Sequence, residues 1–173
     1  MLILSNHLKT IGMEMPEHYV TRINVAWVRT EGELDDILLH TENVFLDYPT
    51  GRYKPPFPIV TLQYAILKAN EYTCVNYFAV SNAEKESEIH ELRQAIRKGV
   101  TIVPKIETEQ GVSNLFGIVD AAKTSIVMLD KDDLYMNIGK NNEKLEKLVH
   151  RIRKQCDDMD IVLLELAGVV FHG

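Results

Sequence analysis

Three charged side chains close two predicted strands, where reactive groups are well supported. Lys105 and Glu107 end the apolar run Val100–Ile106, and Asp133 follows a later run, Ser125–Leu129. In α/β barrels the carboxyl ends of the strands hold side chains rigidly, while the following loops admit ligand. Two carboxylates with open positions beside them suit Mg²⁺ or Mn²⁺, which prefer hard oxygen ligands. Metal-assisted chemistry is therefore one reading of these residues.

Lys105 lies two residues before Glu107, so both side chains point to the same face of the strand. A lysine beside a metal-bound enolate can neutralise developing negative charge or move a proton. From the residues alone, the alternative that Lys105, Glu107 and Asp133 are ordinary polar residues at strand ends stays open.

Apolar runs alternate with helical periods along nearly the whole chain, and this alternation must position the charged residues. Ser81 and Asn82 are predicted to cap the helix that follows the third strand. The predicted strands are Ile23–Val28, Val44–Leu46, Thr73–Val80, Val100–Ile106, Ser125–Leu129 and Ile161–Leu166, with Met1–Leu4 as a possible opening strand. The predicted helices are marked by Leu34/Ile37/Leu38, Ile59–Asn70, Ile89/Leu92/Ile96, Val112/Leu115/Phe116/Val119 and Leu145/Leu148/Val149/Ile152/Cys156.

Strands that are apolar on both faces and separated by helices indicate a parallel sheet covered by helices. About six or seven βα units at this spacing favour a barrel over an open sheet. A full eight-fold barrel usually needs about 200 residues or more, and this chain has 173. The predicted fold is therefore α/β, a TIM-barrel-like (β/α) parallel barrel that is incomplete or irregular.

Composition narrows the classes of function. The chain is 46% hydrophobic and 25% charged, with a net charge of −6. It lacks a basic stripe, so no nucleic-acid partner is expected. It lacks an apolar stretch of about 18 residues, so no membrane partner is expected. Two unclustered cysteines, Cys74 and Cys156, suit a reducing cytoplasm, which is the expected location.

Several segments resemble the barrel domain of pyruvate kinase, within the wider group of phosphoenolpyruvate/pyruvate-binding barrels. The most specific match is Val103–Val112, VPKIETEQGV, which is similar to that family's "IAKIENxEGV". Val127–Leu134 is similar to "IMVARGDL", and Ile23–Ala26 to the "MNVAR" strand. Looser matches are Phe45–Asp47 with "LDTKGPEIR" and Ala79–Ser81 with "ASFV". The resemblance spans roughly Ile23 to Gly168.

The resemblance implies roles for individual residues. Glu107 and Asp133 match the carboxylates that hold a divalent metal, Mg²⁺ or Mn²⁺, and Lys105 matches the residue that stabilises charge or carries a proton. Arg29 is a candidate replacement for the family's catalytic arginine, whose own position is Trp27 here. The substrate-binding candidates are Asp47, Ser81 and Asp132, of which Asp132 stands where the family has a glycine.

One departure bears on the reaction. Pyruvate kinase inserts a nucleotide-covering domain after its third barrel strand. The corresponding strand here, Val44–Leu46, is third when Met1–Leu4 is counted as the first, and this chain offers only Tyr53–Pro58 after it. Without a lid, phosphoryl transfer is poorly supported. The favoured hypothesis is a metal-dependent lyase or aldolase that acts through an enolate on a small carboxylate ligand such as phosphoenolpyruvate, pyruvate or another 2-oxo acid. The alternatives are a non-catalytic barrel that serves as an interaction or regulatory module, and a pyruvate kinase whose lid comes from a partner chain.

Domain organisation and assembly are also predicted. Residues 1–173 are expected to form a single pyruvate-kinase-like barrel domain, with no nucleotide-lid insertion and no C-terminal regulatory domain. A barrel that lacks its last βα unit has open strand edges, which invite pairing. The apolar ending Gly168–Phe171 is unusual for a free terminus. A homodimer is therefore expected, with the C-terminal segment at or near its interface.

Overall fold

The structure is a computed structural model that describes residues 2–5, 19–51 and 55–166. Strands and helices alternate along these ranges, as the sequence predicts. The strands are β1 Leu2–Ser5, β2 Tyr19–Asn24, β3 Val44–Tyr48, β4 Val75–Val80, β5 Thr101–Ile106, β6 Ile126–Asp130 and β7 Val162–Leu166. The α-helices are α1 Glu31–His40, α2 Leu62–Glu71, α3 Glu86–Ala95, α4 Glu109–Ser113, α5 Leu115–Ala122, α6 Lys131–Asn137 and α7 Asn142–Asp158.

The seven strands form one sheet in chain order, β1 to β7. The pairings β1/β2, β2/β3, β5/β6 and β6/β7 are all parallel. Helices follow most strands, because parallel neighbours need a crossover connection. The predicted fold class, an α/β parallel barrel of the TIM-barrel-like type, is confirmed, and the suspected opening strand is present as β1.

The chain forms two compact units. The first comprises Met1–Ala79 and Ala95–Thr101, and the second comprises Val80–Gln94 and Ile102–Gly173. The expectation of a single domain over 1–173 stays a prediction. The segment Gly168–Phe171, on which the predicted dimer depends, lies outside the described residues.

In the first unit, β2 is placed differently from its prediction. The predicted strand Ile23–Val28 ends at Asn24, and Val25–Trp27 forms a single 3₁₀ turn. Asn24 ends the strand because its side-chain oxygen accepts a hydrogen bond from the Ala26 amide at 3.0 Å. Val25 is fully buried within this turn. Because the buried turn is apolar, its sequence has the same continuous apolar pattern as a buried strand.

The second unit carries Lys105, Glu107 and Asp133, the charged residues of the predicted metal site. Its longest helix, α7, begins at an Asn141 cap and buries one apolar face, as predicted. The predicted cap of α3 at Ser81 and Asn82 is wrong, because this helix begins only at Glu86. Asn82 has the left-handed φ of 50°. Its amide donates to the Glu107 carboxylate, which follows β5. Within the described ranges, no helix is both long and apolar enough to cross a bilayer.

Candidate metal centre

Lys105 and Glu107 form a buried ion pair at the end of β5. Lys105 Nζ lies 2.9 Å from Glu107 Oε1, and the two side chains are 5% and 2% exposed. The pair forms because alternation along the strand turns residues two apart to the same side. Lys105 Nζ also donates to Ser81 Oγ at 3.0 Å. The lysine charge is therefore held at one place beside the carboxylate.

The turn after β4 holds the other oxygen of Glu107. The Asn82 amide donates to Glu107 Oε2 at 2.7 Å. The next amide, that of Ala83, donates to the Lys105 carbonyl at 3.1 Å. This turn depends on the left-handed backbone of Asn82, a conformation that asparagine tolerates better than most residues. Two consecutive amides thus align the β4 end with the residues that could do chemistry.

A second acidic group lies at the junction of β6 and α6. Asp130 is the last residue of β6 and caps α6, since its Oδ1 accepts from the amides of Asp132 at 3.2 Å and Asp133 at 3.1 Å. The helix begins directly after the strand, where a loop was expected. Asp130 is partly exposed and Asp133 is exposed. The cap therefore fixes Asp130 against the backbone that carries Asp133.

Glu107, Asp130 and Asp133 come together as one cluster. Each offers a carboxylate oxygen, and the three atoms lie within 4.8 Å of one another. Among the described residues, buried Glu107 Oε1 makes no hydrogen bond of acceptable geometry, although the Lys105 charge lies close to it. Three like charges at this separation repel unless a cation lies among them. The oxygen-only donor set, with one buried oxygen lacking a hydrogen bond, fits Mg²⁺ or Mn²⁺.

The environment of Glu107 acts on its ionisation in two directions. Burial raises the pKa of this carboxyl above its ordinary value, and the nearby Asp130 charge adds to that rise. The Lys105 ammonium and the Asn82 amide oppose it, because both favour the ionised form. A metal cation at the cluster would act in the same sense as Lys105.

Asp132 and Ser81 lie in the same unit as the cluster. The Asp132 side chain is exposed at the start of α6, and its amide is used by Asp130 rather than turned to a ligand. Ser81 is buried and accepts from Lys105. Both proposed substrate contacts stay predictions.

Asp47 lies in the first unit, inside β3, which extends two residues beyond its predicted end at Leu46. It is completely buried, and Arg22 Nε donates to its Oδ2 at 2.9 Å while Arg22 Nη2 contacts the same oxygen. Arg22 extends from β2, whose last residue, Asn24, pairs in register with Asp47. A substrate-binding role for Asp47 stays a prediction, and Arg22 is a partner that sequence reasoning missed.

Arg29 also lies in the first unit. Its side chain is 81% exposed, and its Nη2 lies 2.9 Å from Glu33 Oε1. The predicted strand Ile23–Val28 would have turned Trp27 and Arg29 to the same face, but Trp27 belongs to the 3₁₀ turn and not to a strand. The catalytic role proposed for Arg29 stays a prediction.

Sequence reasoning also missed Asp130 and Asn82. Asp130 lies within Val127–Leu134, one of the segments that carry the resemblance. Its position could have been recognised, because an aspartate at the end of a strand, three residues before a second aspartate, is well placed to cap a following helix. Asn82 gave no such signal, because the partner of its amide is 25 residues away in the chain.

Solved structures share this fold. Citrate synthase SbnG aligns with 95% of this chain and 76% of its own, at 10% identity and a TM-score of 0.72. The citrate lyase beta subunit of Mycobacterium tuberculosis, complexed with oxaloacetate and magnesium, aligns with 95% of this chain and 76% of its own, at 13% identity and a TM-score of 0.66. CitE from the same organism, in complex with magnesium, acetoacetate and coenzyme A, aligns with 84% of this chain and 56% of its own, at 14% identity and a TM-score of 0.60.

At 10% to 14% identity these similarities show the fold alone. The chain spans only 56% of the length of that CitE. None of the three structures is a pyruvate kinase, so the resemblance inferred from the sequence holds for the barrel type and not for that enzyme. No protein-family model matches the chain, and no curated protein matches it by sequence.

Proposed function

We propose that this protein is a divalent-metal-dependent lyase or aldolase that acts on a small 2-oxo carboxylate through an enolate. The observation that carries the proposal is the cluster of Glu107, Asp130 and Asp133 carboxylates, within 4.8 Å of one another beside a buried lysine. Glu107, Asp130 and Asp133 would hold the metal, Mg²⁺ or Mn²⁺. When bound, the cation would supply the positive charge that polarises a carbonyl or carboxylate oxygen.

Lys105 would stabilise the negative charge that develops during the reaction. Its ammonium is fixed by Ser81 and Glu107, so little reorganisation is needed when negative charge develops nearby. When the bond between the carbon next to a carbonyl and its substituent breaks, the electron pair passes into the enolate. The other fragment leaves as carbon dioxide, or as an aldehyde or ketone after loss of its hydroxyl proton, and a proton is then added to the enolate carbon. Lys105 is the nearest cationic group to the Glu107 carboxylate and can donate or hold that proton.

The substrate class is supported by chemistry and by similarity of fold. A cation and a lysine at one site favour an anionic ligand whose oxygens are hard donors. The M. tuberculosis proteins of this fold were crystallised with magnesium and with oxaloacetate or acetoacetate. Those ligands are therefore the first candidates for this chain, with pyruvate and phosphoenolpyruvate as further tests.

Metal binding is tested first. Mn²⁺ titration followed by electron paramagnetic resonance should show one bound ion per chain in the wild type and a large loss of affinity in Glu107→Gln. Glu143→Gln is the matched control, because its side chain is 79% exposed on α7 and the substitution changes the charge equally. Equal binding by wild type and Glu107→Gln would count against the site.

Turnover is tested next. Cleavage of oxaloacetate or another 2-oxo acid should require metal and be abolished by Lys105→Met. Pyruvate formation is measured against time with protein and metal, with metal alone and with protein and EDTA, because free divalent cations also decarboxylate oxaloacetate. Only the excess over metal alone counts as enzymatic cleavage.

The second candidate function is a non-catalytic interaction or regulatory module. One observation favours it, since the proposed arginine, Arg29, is exposed and paired with Glu33. Metal binding without turnover of oxaloacetate, acetoacetate, pyruvate or phosphoenolpyruvate would select this reading.

The predicted homodimer and cytoplasmic location stay proposals. Light scattering of the full chain and of a chain truncated after Leu166 tests the dimer. A monodisperse monomer from the intact protein would contradict it.

A further inference from the structure

Glu165 is the centre of an ion-pair network beside the acidic cluster. It extends from β7 and pairs in register with Leu129, the residue before Asp130. Lys131 Nζ contacts Glu165 Oε2. Arg153 on α7 donates to the same carboxylate twice, from Nε to Oε1 at 2.6 Å and from Nη2 to Oε2 at 2.9 Å. None of these three ionised residues has a part in the proposed reaction.

Lys131 stands in a position that would disturb a metal site. It directly follows Asp130 and comes two residues before Asp133. Consecutive Cα atoms are about 3.8 Å apart, and the four-carbon stem of lysine is flexible. The ammonium group is therefore within reach of the Asp130 carboxylate. A lysine that pairs with a metal-binding carboxylate competes with the cation for the same oxygen atoms.

The network turns Lys131 to Glu165. The side chains of Lys131 and Glu165 are 33% and 26% exposed, so their attraction is screened less than that of a fully exposed pair. Arg153 orients the Glu165 carboxylate through two parallel contacts, the geometry that favours arginine over lysine in this role. These partners also lower the pKa of Glu165 to about 2, so it remains ionised at neutral pH.

We propose that Glu165 is a positioning residue that keeps the Lys131 ammonium away from Asp130 and Asp133 and so leaves these carboxylates to the divalent metal. The inference rests on the proposed function, because it presupposes a metal at the cluster. Glu165 itself touches neither metal nor substrate. Its effect is exerted through the side chain that it holds.

The test measures Mn²⁺ affinity in the full chain by electron paramagnetic resonance. Glu165→Gln keeps the shape of the side chain but releases Lys131, and its affinity should fall by about tenfold, the usual cost of losing an outer-shell partner. Lys131→Met should bind Mn²⁺ no more weakly than the wild type. The double variant should return to within about twofold of the wild type, because the competing charge is gone. Glu143→Gln, an equal change of net charge in an exposed pair, should leave the affinity unchanged.

The outcomes separate the possible failures. Absence of Mn²⁺ binding by the wild type would overturn the proposed function. Wild-type binding with an unchanged Glu165→Gln would overturn only the role of Glu165. If the double variant binds Mn²⁺ as weakly as Glu165→Gln, the role of Glu165 is purely structural, and the proposal is overturned as well. If Glu165→Gln does not fold, Lys131→Met still distinguishes the two roles. A purely structural role of the Glu165–Lys131 pair predicts weaker Mn²⁺ binding by Lys131→Met, whereas the proposed positioning role does not.

Discussion

Lys105 Nζ lies 2.9 Å from Glu107 Oε1, and the pair is almost completely buried at the end of β5. Taking two charges out of water is costly, and their attraction repays that cost only while both are present. Metal binding at the cluster, as proposed, would therefore be coupled to the stability of the protein.

Removal of Lys105 should therefore destabilise the protein in a way that metal reverses. Lys105→Met leaves the Glu107 carboxylate buried without its cation, which should lower the free energy of unfolding by about 3 kcal/mol. Mg²⁺ should stabilise this variant more than it stabilises the wild type, because the cation replaces the lost charge. Urea denaturation with EDTA or Mg²⁺ measures both effects. Lys105→Met/Glu107→Gln is the control, and a double variant as unstable as the single one would contradict the explanation.

Asn82 should influence the metal site through its backbone. Asn82→Val places a β-branched residue at a φ of 50°, which should cost about 1 to 2 kcal/mol and displace the amide that holds Glu107 Oε2. Mn²⁺ affinity should fall with stability, whereas Asn82→Gly should retain both. Lys123→Val is the matched control, because Lys123 has a φ of 52° at the end of α5. It should lose stability but keep its Mn²⁺ affinity, and equal losses of affinity in the two valine variants would argue against a local role.

The two roles of Asp130 should separate by substitution. Asp130→Asn keeps a good helix cap for α6, so stability should change little while Mn²⁺ affinity falls. Asp130→Ala removes the cap as well and should cost about 1 kcal/mol more. Asn141→Ala removes the cap of α7 and should reduce stability alone. Calorimetric titration and urea denaturation give the two quantities, and unimpaired metal binding by Asp130→Asn would exclude Asp130 as a ligand.

The Glu165 network should make stability depend on acid pH. The hydrogen bond from Arg153, together with Lys131, lowers the pKa of Glu165 from 4.5 to about 2. A carboxyl with a depressed pKa in the folded state stabilises the protein above the unfolded value, and this contribution is lost as the pH falls through the folded value. At pH 6 the free energy of unfolding of the wild type should thus be about 1 kcal/mol higher than that of Glu165→Gln. The difference is no larger because the ion pairs are partly exposed to solvent. The difference should disappear between pH 4.5 and pH 2. Denaturation in EDTA at several pH values measures it, and a difference that is constant down to pH 2 would be contrary to this account.

Much of the fold was readable from local patterns. Alternating apolar runs and helical periods identified β3 to β7 to within a few residues, because burial on both faces leaves a continuous apolar signal. The strand that should have run to Val28 shows the limit of that signal. Val25 is as buried in its 3₁₀ turn as it would be in a strand, so apolar character alone does not separate the two.

The candidate site divides in the same way. The sequence by itself determined that Lys105 and Glu107 share a face, since this follows from the two-residue period of a strand. It also marked the β6 end as acidic. Only the tertiary structure decided that Asp130 joins the cluster, that the Asn82 amide holds Glu107, and that Glu165 holds Lys131. Asn82 and Glu107 are 25 residues apart and Lys131 and Glu165 are 34 apart. No local pattern encodes such pairs, because they arise when the ends of neighbouring parallel strands meet.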